Sequence, residues 1–273
     1  FAASGFNGAA VVLDPNSGEV LGFTSRPAYD PNNFAAGIDR ATWASLNTDE
    51  LRPLNDRAIQ GKYSPGATFK MAVAMAALEE GVITPDFKVY CPGHANFFGR
   101  DFKCWTFNKG GHGTVDLRHA IEQSCDVYFY TIANMVGIDK INKWATLLGL
   151  GVMSGIDLPN EVQGLVPSTE WKREKMHEKW YAGETISVGI GQGAVADHGI
   201  LRVRQDVEHG GIVERDADRL QLRRQRTREA FGQSDTPTAS ERRHRRPDGE
   251  WGLQPRHTAA FLIDTDPRQK FPS

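Results

Sequence analysis

The run 68-TFKMAVAMAALEEG-81 is small or apolar on nearly every helical face and stops at a glycine. Its spacing predicts a helix over 68–80, ended by Gly81. A helix that is apolar all round has no face to give to water, so the chain must be built around it. Lys70 breaks the pattern near the N-terminus. Such a lysine either runs its stem out to solvent from a buried helix or serves chemistry. In a Ser-x-x-Lys pair, residues i and i+3 share a face. The amine then lies one turn from the hydroxyl and takes its proton, and the helix N-terminus favours developing negative charge. Here the position three before the lysine is Ala67. Ser64 is six before it, with Pro65 between, and does not stand one turn away.

The rest of the first 196 residues supplies a frame for that helix. Residues 8–24, GAAVVLDPNSGEVLGFT, place two apolar runs around a Pro-Asn-Ser-Gly turn, a hairpin signal. Residues 25–60 and 91–113 read as loop. Residues 115–136 read as helical, broken near Ser124-Cys125-Asp126, and 138–149 as an amphipathic helix ending at Gly149. A further helix starts at Ser168, an N-cap before a charged body. A hairpin followed by many helices predicts an α+β fold, an antiparallel sheet covered by a helical lobe. There is no internal repeat, and no run of 18 apolar residues to span a membrane. The formal net charge of -2 calls for no nucleic acid.

Composition changes after Ala196. Residues 1–196 carry 7 Arg and 10 Lys against 21 acidic residues, a net of -4. Residues 197–273 carry 14 Arg and 1 Lys against 13, a net of +2. The second part includes RRQRTRE and ERRHRRPDGEWG and has little apolar periodicity. We divide the chain into a partial domain, 1–196, and an Arg-rich tail, 197–273, that is disordered or translated out of frame. Frame slippage in a GC-rich gene yields arginine, and it suits the tail better than a basic arm for nucleic acid or anionic lipid.

Several stretches, in order, resemble one family. 54-LNDRAIQGKYSPGATFKMAVAMAALEEG-81 is similar to the nucleophile region of class B penicillin-binding proteins, the peptidoglycan D,D-transpeptidases, whose usual form is Tyr-x-Pro-Gly-Ser-Thr-Phe-Lys. 10-AVVLDPNSGEVLGFTSRPAYDPNNF-34 resembles the strand pair that opens the domain. 111-GHGTVDLRHAIEQSCDVYFYTIANMVGIDKINKWATLLGLG-151 resembles the segment of the second motif. 154-SGIDLPNEVQGLVPSTEW-171 and 182-AGETISVGIGQG-193 also match. The subgroup resembled is the penicillin-binding protein 2-like enzymes of cell elongation, and the likeness covers about 8–196.

The resemblance implies the transpeptidase fold, incomplete at both ends. It implies Lys70 as general base and Ser124 and Asp126 as first and third residues of the second motif. It implies peptidoglycan stem peptides and β-lactams as ligands, elongation membrane proteins as partners, and a parent protein of the inner membrane with this domain in the periplasm. Two departures bear on activity. The nucleophile position holds Ala67, and neither Lys-Thr-Gly nor Lys-Ser-Gly, the third motif, occurs anywhere. As written, the chain is expected not to form an acyl-enzyme at 67. The alternative is a non-catalytic relative, or a truncated product, that binds peptidoglycan or elongation partners.

The three cysteines, Cys91, Cys104 and Cys125, lie within 35 positions, with His112 between the last two. Cys3His is a set that holds zinc tetrahedrally. One structural zinc is expected on Cys91, Cys104, His112 and Cys125, with His94 as a substitute ligand. A Cys91–Cys104 disulfide with one free thiol is the main rival, given the oxidising compartment that the resemblance implies; the plain reading of Cys125 is a small buried hydrophobe. The resemblance points the same way, since relatives in that subgroup can carry a metal site in this region, with Asp often at the first two places.

Overall fold

The computed structural model describes residues 7–14 and 18–196 and the backbone of one strand at Ala259–Asp264. The hairpin forms as expected: β1 (Gly8–Leu13) pairs antiparallel with β2 (Val20–Arg26), Val11 opposite Phe23. Alternate residues Ala9, Val11 and Leu13 are buried against Ala58 and Ile59, the period of two that a one-faced strand requires. On its other edge β1 pairs antiparallel with Ala259–Asp264, giving a three-stranded sheet with β1 at its centre. That strand falls in the Arg-rich tail; the frame of the remainder, and the place of a third motif, lie outside the described residues.

Residues 25–60 hold more than loop. A one-turn helix, α1 (Asn32–Ala35), is followed by α2 (Arg40–Thr48), whose N-cap Asp39 accepts from the backbone N–H groups of Ala41 and Thr42. No residue of α2 is buried, which is why apolar periodicity gave no signal for it.

The buried helix begins one turn earlier than its α-helical part. Gly66–Phe69 is a 3-10 turn, and α3 (Lys70–Glu79) continues from it. Ala72, Val73, Ala74, Ala76 and Ala77 are fully buried, and Gly81 ends the run at φ 66°. Small side chains let α3 sit at the centre of the lobe.

Between α3 and the next helices, residues 89–115 are local antiparallel pairs rather than loop. β3 (Val89–Cys91) pairs with β6 (Gly113–Val115), and β4 (His94–Phe97) pairs with β5 (Arg100–Lys103). Strands of three or four residues are too short to display alternation.

The expected break near Ser124 is present. It separates α4 (Leu117–Glu122) from α5 (Asp126–Val136). Then follow α6 (Ile138–Leu147), α7 (Thr169–Met176), capped by the Ser168 side chain on Trp171 N–H, and α8 (Ala182–Val188). Phe69, Leu117, Tyr128, Phe129, Ile132, Ile141 and Ile186 form one core among α3, α4, α5, α6 and α8. The result is the α+β arrangement expected.

Candidate active site and metal-ligand cluster

The 3-10 turn fixes the relation between positions 67 and 70. The Lys70 N–H donates to Ala67 O, so the two side chains lie one turn apart on one face. Ala67 is exposed, while Lys70 is 4% exposed. The turn is held from below: Gly66 N–H and Ser64 Oγ both donate to Gly191 O, at 3.0 and 2.5 Å. Gly191 sits at φ 70°, and a Cβ there would stand 2.1 Å from Gly66 O, so only glycine fits.

A buried ammonium must be paired. Lys70 Nζ donates to Asp126 Oδ1 at 2.7 Å, to Ser124 Oγ at 3.0 Å and to Ser124 O at 3.0 Å, and it stands 5.4 Å from the centre of the Phe129 ring. All three donors are used. The sequence-predicted Lys70, Ser124 and Asp126 are therefore brought together, with Lys70 one turn from the exposed Ala67. Ser124 adopts φ 52°, a left-handed conformation rare for a residue with a Cβ, in the sharp turn that enters α5. Strain of this kind, roughly 1–3 kcal/mol, collects where side chains must be aimed.

Asp126 does more than pair with Lys70. Its Oδ2 accepts from Trp105 N–H at 3.0 Å, and its own N–H donates to Cys104 Sγ at 3.4 Å. Trp105 is also held through Nε1–H to Gln123 O at 3.1 Å, yet its side chain remains largely in solvent, 57% exposed. Sequence reasoning missed Trp105. The available signal was its position next to Cys104.

The four predicted metal ligands also converge. Pairing of β3 with β6 sets Cys91 beside His112, whose N–H donates to Cys91 O at 3.0 Å. Gly111, at φ 83°, permits the close pass, since a Cβ there would lie 2.1 Å from Cys91 O. The turn after β5 brings in Cys104, whose N–H donates to Gly93 O at 2.7 Å. Cys125 enters from the turn before α5. The ligand atoms of Cys91, Cys104, His112 and Cys125 all lie within 4.8 Å of one another. His112 Nδ1 is 3.6 Å from Cys91 Sγ and 3.5 Å from Cys104 Sγ. A tetrahedral zinc with Zn–S of about 2.3 Å and Zn–N of about 2.05 Å requires S···N edges of about 3.6 Å. The donor set therefore fits zinc in type and in spacing. The other imidazole nitrogen, Nε2, is buried without a partner among the described residues. The neighbouring Cys125 thiol holds Cys104 well below the ordinary thiol range, and the Cys104 side chain and burial push Cys125 up. The three cysteines are free thiols, with no Cys91–Cys104 disulfide. His94 is outside the cluster: it is exposed, and its Nδ1 is 2.7 Å from Asp101 Oδ1.

The family described as penicillin binding protein transpeptidase domain matches residues 8–215. The peptidoglycan D,D-transpeptidase MrdA of Acinetobacter baumannii is 44% identical over 191 residues, which are 70% of this chain and 28% of that protein. MrdA of Escherichia coli K12 is 41% identical over 190 residues, 70% of this chain and 30% of that protein. The chain thus spans less than a third of the length of these relatives. Among solved structures, Pseudomonas aeruginosa PBP2 in complex with WCK 5153 matches with a TM-score of 0.69 and 41% identity, over 72% of this chain and 43% of that one. Helicobacter pylori PBP2 in complex with MreC matches with a TM-score of 0.69 and 35% identity, over 73% and 37%. The chain belongs to the penicillin-binding-protein transpeptidase family, and within it to the PBP2-like group.

Proposed function

We propose that this chain carries the acyl-transfer site of a peptidoglycan D,D-transpeptidase, from which the nucleophilic oxygen at residue 67 is missing. The observation that carries the reading is the Lys70–Ser124–Asp126 set, bonded at 2.7 and 3.0 Å, one helical turn from the exposed position 67. With an oxygen at 67, Lys70 would take its proton as it attacks a D-Ala–D-Ala peptide bond or a β-lactam. Ser124 would pass a proton to the leaving nitrogen. Asp126 would hold the amine in place. Cys91, Cys104, His112 and Cys125 would hold one structural zinc. Its chemistry there is cross-linking rather than catalysis, with Cys125 tying the metal to the turn that bears Ser124.

Partners follow from relatives. The H. pylori PBP2 match is a complex with MreC, and a further structural match, 40% identical, is a peptidoglycan synthase complex that coordinates polymerization and crosslinking. Elongation proteins of this kind, peptidoglycan strands and the periplasmic face of the inner membrane are the proposed setting. No helix among the described residues is long and apolar enough to cross a membrane.

The test is Ala67→Ser exposed to fluorescent penicillin. Label is expected on residue 67 and is lost when Lys70→Met is added. Without the third motif, labelling should be about 10²–10³-fold slower than in a relative with all three motifs, the scale of losing one positioned donor. No label at 67 after prolonged exposure would overturn the reading.

A further inference from the structure

Tyr29, Phe34 and Trp43 are large rings left 37–46% exposed, outside both hydrophobic cores. They meet edge to face, with centroids 5.2 Å apart for Tyr29 and Phe34 and 6.3 Å apart for Phe34 and Trp43. Helix α2, which carries Trp43, buries no residue, so the ring does not serve to pack the fold. Contiguous exposed rings of this kind mark a binding face. Tyr29 also lines a cleft of about 480 Å³ between the end of β2, residues 53–60 and residues 158–160. The cleft adds polar groups to the apolar shelf. Asn55 and Gln60 are half-buried in it, and Arg26 is exposed beside them. Gln60 Oε1 accepts from Asp56 N–H at 2.9 Å, but Gln60 Nε2 and the Asn55 side-chain amide have no partner among the described residues.

A shelf of rings leading into a cleft with unused amide donors is the chemistry that takes a sugar. A pyranose has a face of C–H groups that lies flat on an aromatic ring, and edge oxygens that accept from amides. We infer that this face binds the glycan part of peptidoglycan, a polymer of N-acetylated amino sugars. The strand lies over Tyr29, Phe34 and Trp43, and the hydroxyl or acetamido oxygens of one sugar accept from Asn55 and Gln60 in the cleft. This site deepens the proposed function and rests on it for the identity of the polymer. The peptide part belongs at residue 67, and the glycan part is otherwise unplaced. Gln60 is seven positions before Ala67, at most about 25 Å of chain. A strand held in the cleft therefore stays near the position that its peptide must reach. Binding here uses no atom of Lys70, Ser124 or the metal-ligand cluster.

The experiment is isothermal titration of the unaltered chain with glycan strands stripped of their stem peptides, beside Tyr29→Ala, Trp43→Ala and Asn55→Ala. Tyr29 and Trp43 are exposed, so these two variants should melt with the unaltered chain. The unaltered chain is expected to bind the stripped strands, and each variant to bind them about tenfold more weakly, the scale of losing one stacked ring or one placed amide. No binding of stripped strands, or binding unchanged in any of the three variants, overturns the inference. Strands bound only while they carry stem peptides overturn it too and leave the proposed function standing. So does a dimer of the unaltered chain in sedimentation that dissociates in Trp43→Ala with no glycan bound, which makes a second copy the occupant. Glycan binding that follows the variants as expected, with no label at 67 in Ala67→Ser, removes the proposed function of residue 67 alone.

Discussion

Removing the proposed zinc from the Cys91–Cys104–His112–Cys125 cluster should loosen the second motif before it unfolds the lobe. The ligands come from β3, the turn after β5, the segment before β6 and the turn before α5, so one ion would cross-link four short segments. Apart from it these segments are held by pairs of three or four residues, which are weak alone. An ion that binds the folded state alone, at 100 to 1,000 times its Kd, contributes about 2.7–4.1 kcal/mol. For a domain of this size each kcal/mol is worth about 2–4 °C, so chelation should lower Tm by about 5–16 °C. Limited proteolysis supplies the local readout, with new cleavage expected between 91 and 126 and α3 protected for longer. Zinc should restore both. Equal melting and equal protease resistance with and without metal would refute the reasoning.

Four further outcomes follow from single contacts. Gly191→Ala places a Cβ 2.1 Å from Gly66 O at a left-handed backbone, so it should cost at least about 2 kcal/mol in a denaturant titration. The same change should abolish labelling of Ala67→Ser by moving the turn. Phe129→Ala removes a fully buried ring that also lies under Lys70, and should cost about 3–5 kcal/mol by the same titration. Glu80 accepts from Lys143 Nζ and Trp144 Nε1, both at 2.8 Å, and these bonds hold its carboxyl down to about 2. A depressed carboxyl stabilises above its unfolded value and loses that contribution as pH falls through the folded one. The advantage of wild type over Glu80→Gln, about 1–2 kcal/mol after allowance for the half-exposed lysines, should therefore be whole at pH 7 and vanish between about pH 4.5 and 2, as read by pH-dependent denaturation.

What the sequence made legible was set by whether a signal is local. Lys70 and the Ser124–Asp126 turn are contiguous motifs, and the helix that carries Lys70 announces itself by being apolar all round. The caps at Gly81 and Ser168 are likewise written in single residues. The cysteines and His112 were close enough in sequence to suggest one site, but their convergence depends on strands too short to show a period. Helix α2 buries nothing, so its one local sign was Asp39 at the N-cap. For Trp105 the one local signal was its place beside Cys104, and its bonds were not legible. Its role comes from bonds to Gln123 and Asp126, eighteen or more residues away, and no local pattern encodes them. His94 shows the reverse: it has the right residue type in the right region, yet β4–β5 pairing turns it to Asp101 instead of the thiols.

Residue 67 is proposed as the acyl-transfer position, with Lys70 as its base. The most direct measurement is intact-mass analysis of Ala67→Ser during a time course with penicillin G, with and without Lys70→Met. A slow gain of one penicilloyl group is expected, located on residue 67, that disappears when the lysine is lost. A residue 67 that stays unmodified, or an adduct there that forms as fast without Lys70 as with it, would contradict the account.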